Sequence, residues 1–316
     1  MKIVVTDHAF GTLHHEEAFA KAQGLALEVH ACVTAEETLR AVTGAQVVFN
    51  NMAPLGPAAL AAMASGALVI RYGVGVDNVD MAAASAAGVR VCNVPDYGAE
   101  AVADHALAML LALLRRLPLY DAALRDGAWG AKALVPDLPA FSAITVGLLG
   151  FGRIAQATAK RLRPFGFRIK ASDPVASQSA AAELGVTLVD FQELLADADA
   201  LSLHLPLTDA TRHLIDAKAL ATLPDGAVVI NVSRGGLIDE AALAAELKSG
   251  RIAGAGVDVF EDEPVKAGAP LLDSPNTLLS PHAAFYSNAS LENLQRLAAE
   301  EATRFVKGEP LRCALN

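Results

Sequence analysis

Ile144-Thr145-Val146-Gly147-Leu148-Leu149-Gly150-Phe151-Gly152-Arg153-Ile154-Ala155 is the stretch on which the fold turns. Its first half is an apolar run rich in strand formers, and helical spacing continues from Ala155 to Leu162, so the segment reads as strand–turn–helix. Inside it stands Gly150-x-Gly152-x-x-Ala155. In such a turn the first glycine permits the sharp reversal and the second lets the backbone approach a pyrophosphate. The small third residue lets helix pack on strand. The helix start adds N–H groups without partners and a partial positive charge. A glycine pattern alone is weak, but this one has a companion. Residues 167–173 read as a second strand ending in an acid, and Asp173 lies 21 residues beyond Gly152. That is close to the ~20 expected for a carboxylate that binds the adenosine ribose hydroxyls.

Outward from this unit, the chain as a whole sets bounds. Its 316 residues are long for one core and predict two domains. A hydrophobic content of 53% against 19% charged residues excludes a disordered chain. A net charge of -10 argues against a nucleic-acid or anionic-membrane partner, yet leaves a small anionic substrate open, since a few arginines can govern one pocket. Cys32, Cys92 and Cys313 are odd in number and widely spaced, which predicts free thiols rather than a disulfide or metal pattern. Met1 to Asp7 enters a strand without a signal-peptide region. The apolar stretch 101–114 contains Asp104 and His105, and is too short and too polar at one end to span a bilayer. A soluble cytoplasmic protein is expected.

The first hundred residues alternate between short strands, at 2–6, 26–30, 46–50, 68–72 and 89–93, and alanine-rich helices. This pattern predicts a parallel sheet covered on both faces. One long helix is predicted over residues 100–125, followed by an irregular segment, 127–139, that carries Trp129. From residue 143 a second series of seven strands and intervening helices predicts a complete doubly wound sheet. A last helix over 291–307 precedes a short tail. Because the glycine turn arrives only at mid-chain, the cofactor domain should be inserted into the first. The expected division is 1–98 with 288–316 for the substrate-binding domain, and 99–287 for the dinucleotide-binding domain.

Three motifs downstream follow strand ends, where ligand-facing residues sit in open α/β sheets. They are Asn231-Val-Ser-Arg234-Gly-Gly, Gly256-Val-Asp258-Val-Phe-Glu-Asp-Glu263-Pro264 and Ser280-Pro-His282-Ala. An arginine can clamp a carboxylate with two charge-assisted hydrogen bonds and polarise the neighbouring carbonyl. A histidine can give a proton to the carbonyl oxygen as hydride reaches the carbon, and a carboxylate on its other ring nitrogen fixes the tautomer. Any one of these residues alone would read as loop polarity. At three successive strand ends they make a workable set for hydride transfer to a 2-oxoacid.

Together these residues resemble the NAD-dependent D-isomer-specific 2-hydroxyacid dehydrogenases, with matches along almost the whole chain. The family's substrate loop is similar to Arg71-Tyr-Gly-Val-Gly-Val-Asp77-Asn78 and its interdomain turn to Val91-Cys-Asn93-Val-Pro95. The start of its long helix is similar to Ala101-Val102-Ala103-Asp104. The resemblance places the catalytic triad on Arg234, Glu263 and His282, and substrate contacts on Arg71, Tyr72, Gly73, Val74, Gly75 and Phe285. It implies cofactor contacts from Val102, Gly150, Gly152, Arg153, Ile154, Asp173, His204, Pro206, Thr211, Val232, Ser233 and Asp258, and no metal.

The run 280–287 resembles the branch that holds the C-terminal-binding-protein co-repressors and many phosphoglycerate dehydrogenase-like bacterial enzymes. There an arginine matching Arg71 helps hold the substrate carboxylate, and the aromatic matching Phe285 is a tryptophan. The implied fold is two Rossmann-like parallel-sheet domains, one flavodoxin-like and one dinucleotide-binding, the second inserted into the first. A homodimer through the helix at 100–125 is implied as well. The implied activity is hydride transfer between NAD(H) and a 2-oxoacid or D-2-hydroxyacid. The alternative is a dinucleotide-sensing, co-repressor-like binding protein with incidental dehydrogenase activity, which would need an exposed peptide groove that no sequence feature marks.

Glu263 argues against formate as substrate, because formate dehydrogenases of this superfamily carry glutamine there. Asp173 would repel a 2′-phosphate and Pro174-Val175-Ala176 offers no arginine to receive one, so NAD is favoured over NADP. Val74 and Val76 stand where relatives are often smaller or polar, so substrate choice does not transfer. Phe285 and Tyr286 hint at a medium or large apolar substituent. The end at Asn316 reads as a form without the regulatory domain of the long phosphoglycerate dehydrogenases. His14-His15-Glu16-Glu17 reads as a solvated helix start, since adjacent helical side chains do not face one direction. His105 reads as a packed or interface residue, His204 as a liner of the cofactor groove, and Arg115-Arg116 as a C-terminal helix cap.

Overall fold

A computed structural model describes residues 1–316. Along the chain the elements are β1 (Ile3–Val5), α1 (His14–Ala22), β2 (Leu27–Val29), α2 (Ala35–Val42), β3 (Val47–Asn50), α3 (Pro57–Ala62), β4 (Leu68–Arg71), α4 (Met81–Ala86) and β5 (Arg90–Cys92). Then come α5 (Ala99–Leu114), α6 (Leu117–Arg125), α7 (Ala131–Leu134), β6 (Thr145–Leu149), α8 (Arg153–Leu162), β7 (Arg168–Ser172), α9 (Gln178–Glu183), β8 (Thr187–Leu188), α10 (Phe191–Asp197) and β9 (Ala200–Leu203). The series ends with α11 (Ala217–Thr222), β10 (Ala227–Asn231), α12 (Glu240–Ser249), β11 (Ile252–Val257), β12 (Thr277–Leu279) and α13 (Asn288–Val306). Contacts divide the chain into two compact units, Met1–Gly98 with Tyr286–Asn316, and Ala99–Phe285. No helix is long and apolar enough to cross a membrane.

The first unit holds a five-stranded sheet of order β2-β1-β3-β4-β5, parallel throughout. Side chains alternate across it with the period of two that a pleated strand imposes. Ile3, Val5, Phe49 and Ile70 face one core together with Phe19 of α1 and Leu294, Ala298 and Ala302 of α13. Val4, Val48, Val69 and Val91 face the other, against Val42 of α2 and Leu60 of α3. Truncating a large residue in either layer to alanine costs about 2–5 kcal/mol.

The second unit holds seven parallel strands in the order β12-β11-β10-β9-β6-β7-β8. The chain enters at β6, builds outward through β7 and β8, then returns to lay β9 on the other side of β6. The strand order therefore reverses between β6 and β9, the position at which open α/β sheets bind their ligands. One face is covered by α5 and α8, the other by α10, α11 and α12. Asp190, Asp216 and Asp239 each end a strand-to-helix loop by accepting the N–H of the third helical residue, which sets where α10, α11 and α12 begin.

Three expectations change. The single helix over 100–125 is two helices, because Arg116 adopts a left-handed conformation (φ 55°) and Pro118 opens α6. Arg116 holds the break by donating to the carbonyl of Ala253 at 2.7 Å. Helices α7 and α9 are short ones that composition did not mark; Ser177 starts α9 by accepting from Ala180 N–H. The last helix begins at Asn288 because Ser287 and Ser290 cap each other reciprocally.

Candidate active site

At the end of β6 the backbone turns through Gly150 with φ 89°, where a β-carbon would stand 2.6 Å from the carbonyl oxygen of His204. Only glycine lets the loops after β6 and β9 close on each other at the point where the strand order reverses. His204 N–H donates to Leu149 at 2.8 Å and Gly150 N–H to Ser172 at 2.9 Å, locking the turn to both neighbouring strands. Gly152 then stands before α8 with no side chain capping the helix and open space around its α-carbon. Asp173, just past β7, accepts from Phe151 N–H at 2.8 Å and Val175 N–H at 2.9 Å, so its carboxylate sits beside the glycine turn.

An uncapped helix start, open space for an anion and an acid at the adjacent strand end suit a dinucleotide; Gly152, Arg153 and Ile154 are the residues that could hold its pyrophosphate and Asp173 the one that could hold a ribose. His204 adds a buried Nδ1 with no protein partner, while its Nε2 pairs with Ser202 Oγ at 2.9 Å. Burial pushes its imidazole down to about 4, which keeps it neutral and removes it from proton transfer at neutral pH. Thr211 closes the loop beyond β9, donating to the Pro206 carbonyl at 2.8 Å, and Ser233 donates to the Leu203 carbonyl at 2.7 Å. Val102 and Val232 are buried in the apolar core with α5 and β10.

The opposite end of the same strand edge brings Arg234, Glu263 and His282 into one cluster. Asn231, buried at the end of β10, folds the chain back: it accepts from Ser233 N–H at 3.1 Å and donates to the Arg234 carbonyl at 2.9 Å. The Arg234 guanidinium in turn donates to the Ser233 carbonyl at 2.7 Å. Next comes Gly235, whose absent β-carbon would lie 1.9 Å from the carbonyl carbon of Phe260 and 2.3 Å from the nitrogen of Glu261. The loop after β11 thus lies directly on the backbone beside Arg234. That loop carries Glu263, which accepts from Phe260 N–H at 3.0 Å through Oε1 and meets His282 Nδ1 at 2.7 Å through Oε2.

His282 is itself held from below. Its backbone is left-handed (φ 52°), and Asp258, with no exposed surface, accepts from Ala283 N–H at 2.8 Å, Ala284 N–H at 2.9 Å and the Ser280 hydroxyl. His105 of α5 reaches Ser280 Oγ at 2.9 Å and so belongs to this support. Asp258, expected at the cofactor, is placed under the histidine loop, and His105 has a role that sequence reasoning missed. The available signal was a lone acid at the end of the apolar run of β11, where a buried charge must be paid for by hydrogen bonds.

Electrostatics bind the cluster together. Burial raises the Glu263 carboxyl, but the His282 hydrogen bond, the Phe260 N–H and the charges of His282 and Arg234 outweigh it and hold the group below the ordinary carboxylate range. A depressed carboxyl contributes stability that is complete above its unfolded value and is lost as the pH falls through its folded one. The melting-temperature gap between the wild type and Glu263→Gln should therefore shrink as the pH falls from about 5 to below about 4. Melts over a pH series check this, and a gap that widens across that acidic range contradicts it. With Nδ1 engaged by the carboxylate, proton exchange falls to Nε2 of His282. The Phe285 ring stands edge-on to the imidazole, 6.2 Å between centroids.

In the first unit, Arg71 ends β4 and its guanidinium fills the space that a side chain at Gly73 would take. Val74 is exposed and its carbonyl accepts from Asn93 at 2.6 Å; Gly75 continues the same loop. Tyr72 departs from expectation. It is 2% exposed, and its hydroxyl donates to Glu16 Oε1 at 2.7 Å inside the core, so its side chain is structural.

Residues 107–284 match the family model described as "D-isomer specific 2-hydroxyacid dehydrogenase, NAD binding domain". The chain is 34% identical over 304 residues to D-3-phosphoglycerate dehydrogenase of Archaeoglobus fulgidus, covering 95% of this chain and 57% of that one. To glyoxylate reductase of Thermococcus litoralis it is 40% identical over 248 residues, 77% of this chain and 74% of the relative. Among solved structures, D-lactate dehydrogenase from Aquifex aeolicus, complexed with NAD and lactic acid, superposes with a TM-score of 0.86 at 26% identity, over 98% of this chain and 96% of that one. The chain spans about half the length of the curated phosphoglycerate dehydrogenases it matches.

Proposed function

The chain belongs to the D-isomer-specific 2-hydroxyacid dehydrogenase family, and from that premise we propose that it transfers a hydride between NAD(H) and a 2-oxoacid or D-2-hydroxyacid. The observation that carries the reading is the contact of Glu263 with Nδ1 of His282, beside Arg234, at the ends of strands whose opposite partners form the dinucleotide turn. NADH, when bound, supplies the hydride that reaches the carbonyl carbon. Arg234 orients the substrate through its carboxylate, and its charge draws electron density toward the carbonyl oxygen. Arg71 is the proposed second donor to that carboxylate, on the strength of the family resemblance. His282 delivers a proton from Nε2 to the developing alkoxide, or removes it in the reverse direction. Glu263 keeps the ring in the tautomer and orientation this transfer needs.

Asp173 supports NAD over NADP, because its carboxylate would repel a 2′-phosphate. Exposed Leu117 and Leu124 on α6, with Trp129 just beyond, support a homodimer through this region. The test is NADH oxidation against a panel of 2-oxoacids from glyoxylate to branched and aromatic members, repeated with NADPH. Turnover on at least one oxoacid is expected, with kcat/KM at least about tenfold higher for NADH than NADPH. The apolar ring of Phe285 favours the larger oxoacids; a clear preference for glyoxylate would remove that part of the reading. No turnover on any oxoacid would overturn the whole.

A further inference from the structure

A second cluster of chemistry-bearing side chains lies on the first unit. His14 and His15 open α1, and Glu292 stands in the first turns of α13. His15 Nε2 is 2.7 Å from Glu292 Oε1, and His14 Nε2 is 3.4 Å from the same oxygen. The two imidazoles lie 4.1 Å apart, tilted by 38°, and one ligand atom from each of the three residues falls within 4.8 Å of the others. Successive residues inside a helix diverge by about 100°, which is why the sequence reads here as a solvated helix start. At the first residue of a helix that argument weakens. Here both imidazoles meet the one carboxylate that α13 presents.

The two histidine–carboxylate distances are close to those of a small tetrahedral ion. Ligand bonds of about 2.0–2.1 Å place ligand atoms about 3.3 Å apart. The 3.4 Å separation already meets this, and the 2.7 Å one needs a sub-ångström opening. A separate feature points the same way. His14 Nδ1 is 3.1 Å from Thr12 Oγ1, an outer contact that leaves Nε2 as the free ligand atom, as metal-binding histidines arrange it. Beneath the cluster the two helices are joined by buried polar bonds. Gln295, 4% exposed, donates to the Thr12 carbonyl at 2.6 Å and to Glu16 Oε2 at 3.2 Å, while Glu16 also takes the Tyr72 hydroxyl.

We propose that His14, His15 and Glu292 form a binding site for a divalent first-row transition ion, Zn2+ being the best match, with water at the fourth position. Two imidazoles and one carboxylate favour such an ion over Ca2+ or Mg2+, which take oxygen ligands. The positive ends of α1 and α13 oppose a cation, but at exposed helix starts this weakens affinity by less than about tenfold, and Glu17 and Glu292 offset it. The bound ion clips α1 to α13, joining residues 277 positions apart in the chain.

The experiment is a calorimetric titration of the chelator-stripped full chain with ZnCl2, paired with thermal melts with and without the metal. One Zn2+ per chain is expected, with a melting temperature that rises on saturation. In His14→Ala and in Glu292→Gln the affinity should fall by roughly 10²-fold and the thermal rise should vanish, while the melting temperature in chelator stays at the wild-type value. Absence of binding overturns the proposal. So does Zn2+ binding that survives in both variants, and loss of binding in His282→Ala would then place the ion at the other cluster.

Discussion

Replacing His282 with alanine should lower oxoacid turnover by ~10²–10⁴-fold while leaving NADH binding within about threefold of wild type. The imidazole is the group whose Nδ1 is held by Glu263 at 2.7 Å, so its loss removes the only proton donor that the cluster orients. Its support is independent of the ring: Asp258 takes the N–H groups of Ala283 and Ala284 whatever side chain residue 282 carries. The loop should therefore keep its place and the dinucleotide turn, built from Gly150 and Asp173, should be untouched. Steady-state kinetics together with NADH fluorescence titration separate the two effects. Turnover within tenfold of wild type would remove His282 from the chemistry. Equal loss of NADH binding would mean that the substitution had disturbed the fold.

Gly235→Ala should be the most damaging single methyl addition near the site. Its β-carbon would stand 1.9 Å from the Phe260 carbonyl carbon, 2.2 Å from that carbonyl's oxygen and 2.3 Å from the Glu261 nitrogen. Those are backbone atoms, so no rotamer change relieves the overlap. The loop after β11 must move, and it carries two hydrogen bonds that matter: Phe260 N–H to Glu263 and Glu261 N–H to the buried Glu240. We expect at least about 3 kcal/mol of destabilisation, and at least tenfold loss of turnover in whatever fraction folds. Gly152→Ala is the control, since open space surrounds that position. Denaturant unfolding of both variants decides the matter; equal midpoints for Gly235→Ala and wild type would show that the two loops are not pressed together.

These two positions also show what the amino-acid sequence discloses and what it withholds. The glycine turn and Asp173 are legible because both signals are local: a strand-forming run, a fixed spacing, a terminal acid. Arg234, Glu263 and His282 are legible as strand-end residues, though nothing local says that Glu263 and His282 meet across 19 residues. Pairing of that kind is a product of sheet order. The same cause hid the support under His282, where Ser280, Asp258 and His105 come from three separate elements. Tyr72 belongs by resemblance to the substrate loop, yet it directly follows β4 and keeps that strand's alternation, so its side chain joins Leu68 and Ile70 in the core. The helix break leaves no mark at Arg116 itself, unlike a glycine, and Pro118 two residues on is its one local signal. Convergence of His14 and His15 on Glu292 depends on how α1 meets α13, which no window of sequence contains.

The return of α13 to the first sheet has a consequence for synthesis. Residues 99–285 form one uninterrupted segment, so the second unit can complete its sheet while still emerging from the ribosome. The first unit cannot. One face of its sheet, carrying Ile3, Val5 and Phe49, is covered in part by Leu294, Ala298 and Ala302 of the last helix. The strands made first thus wait, with apolar surface uncovered, until residues 288–306 have been made and can fold back onto them.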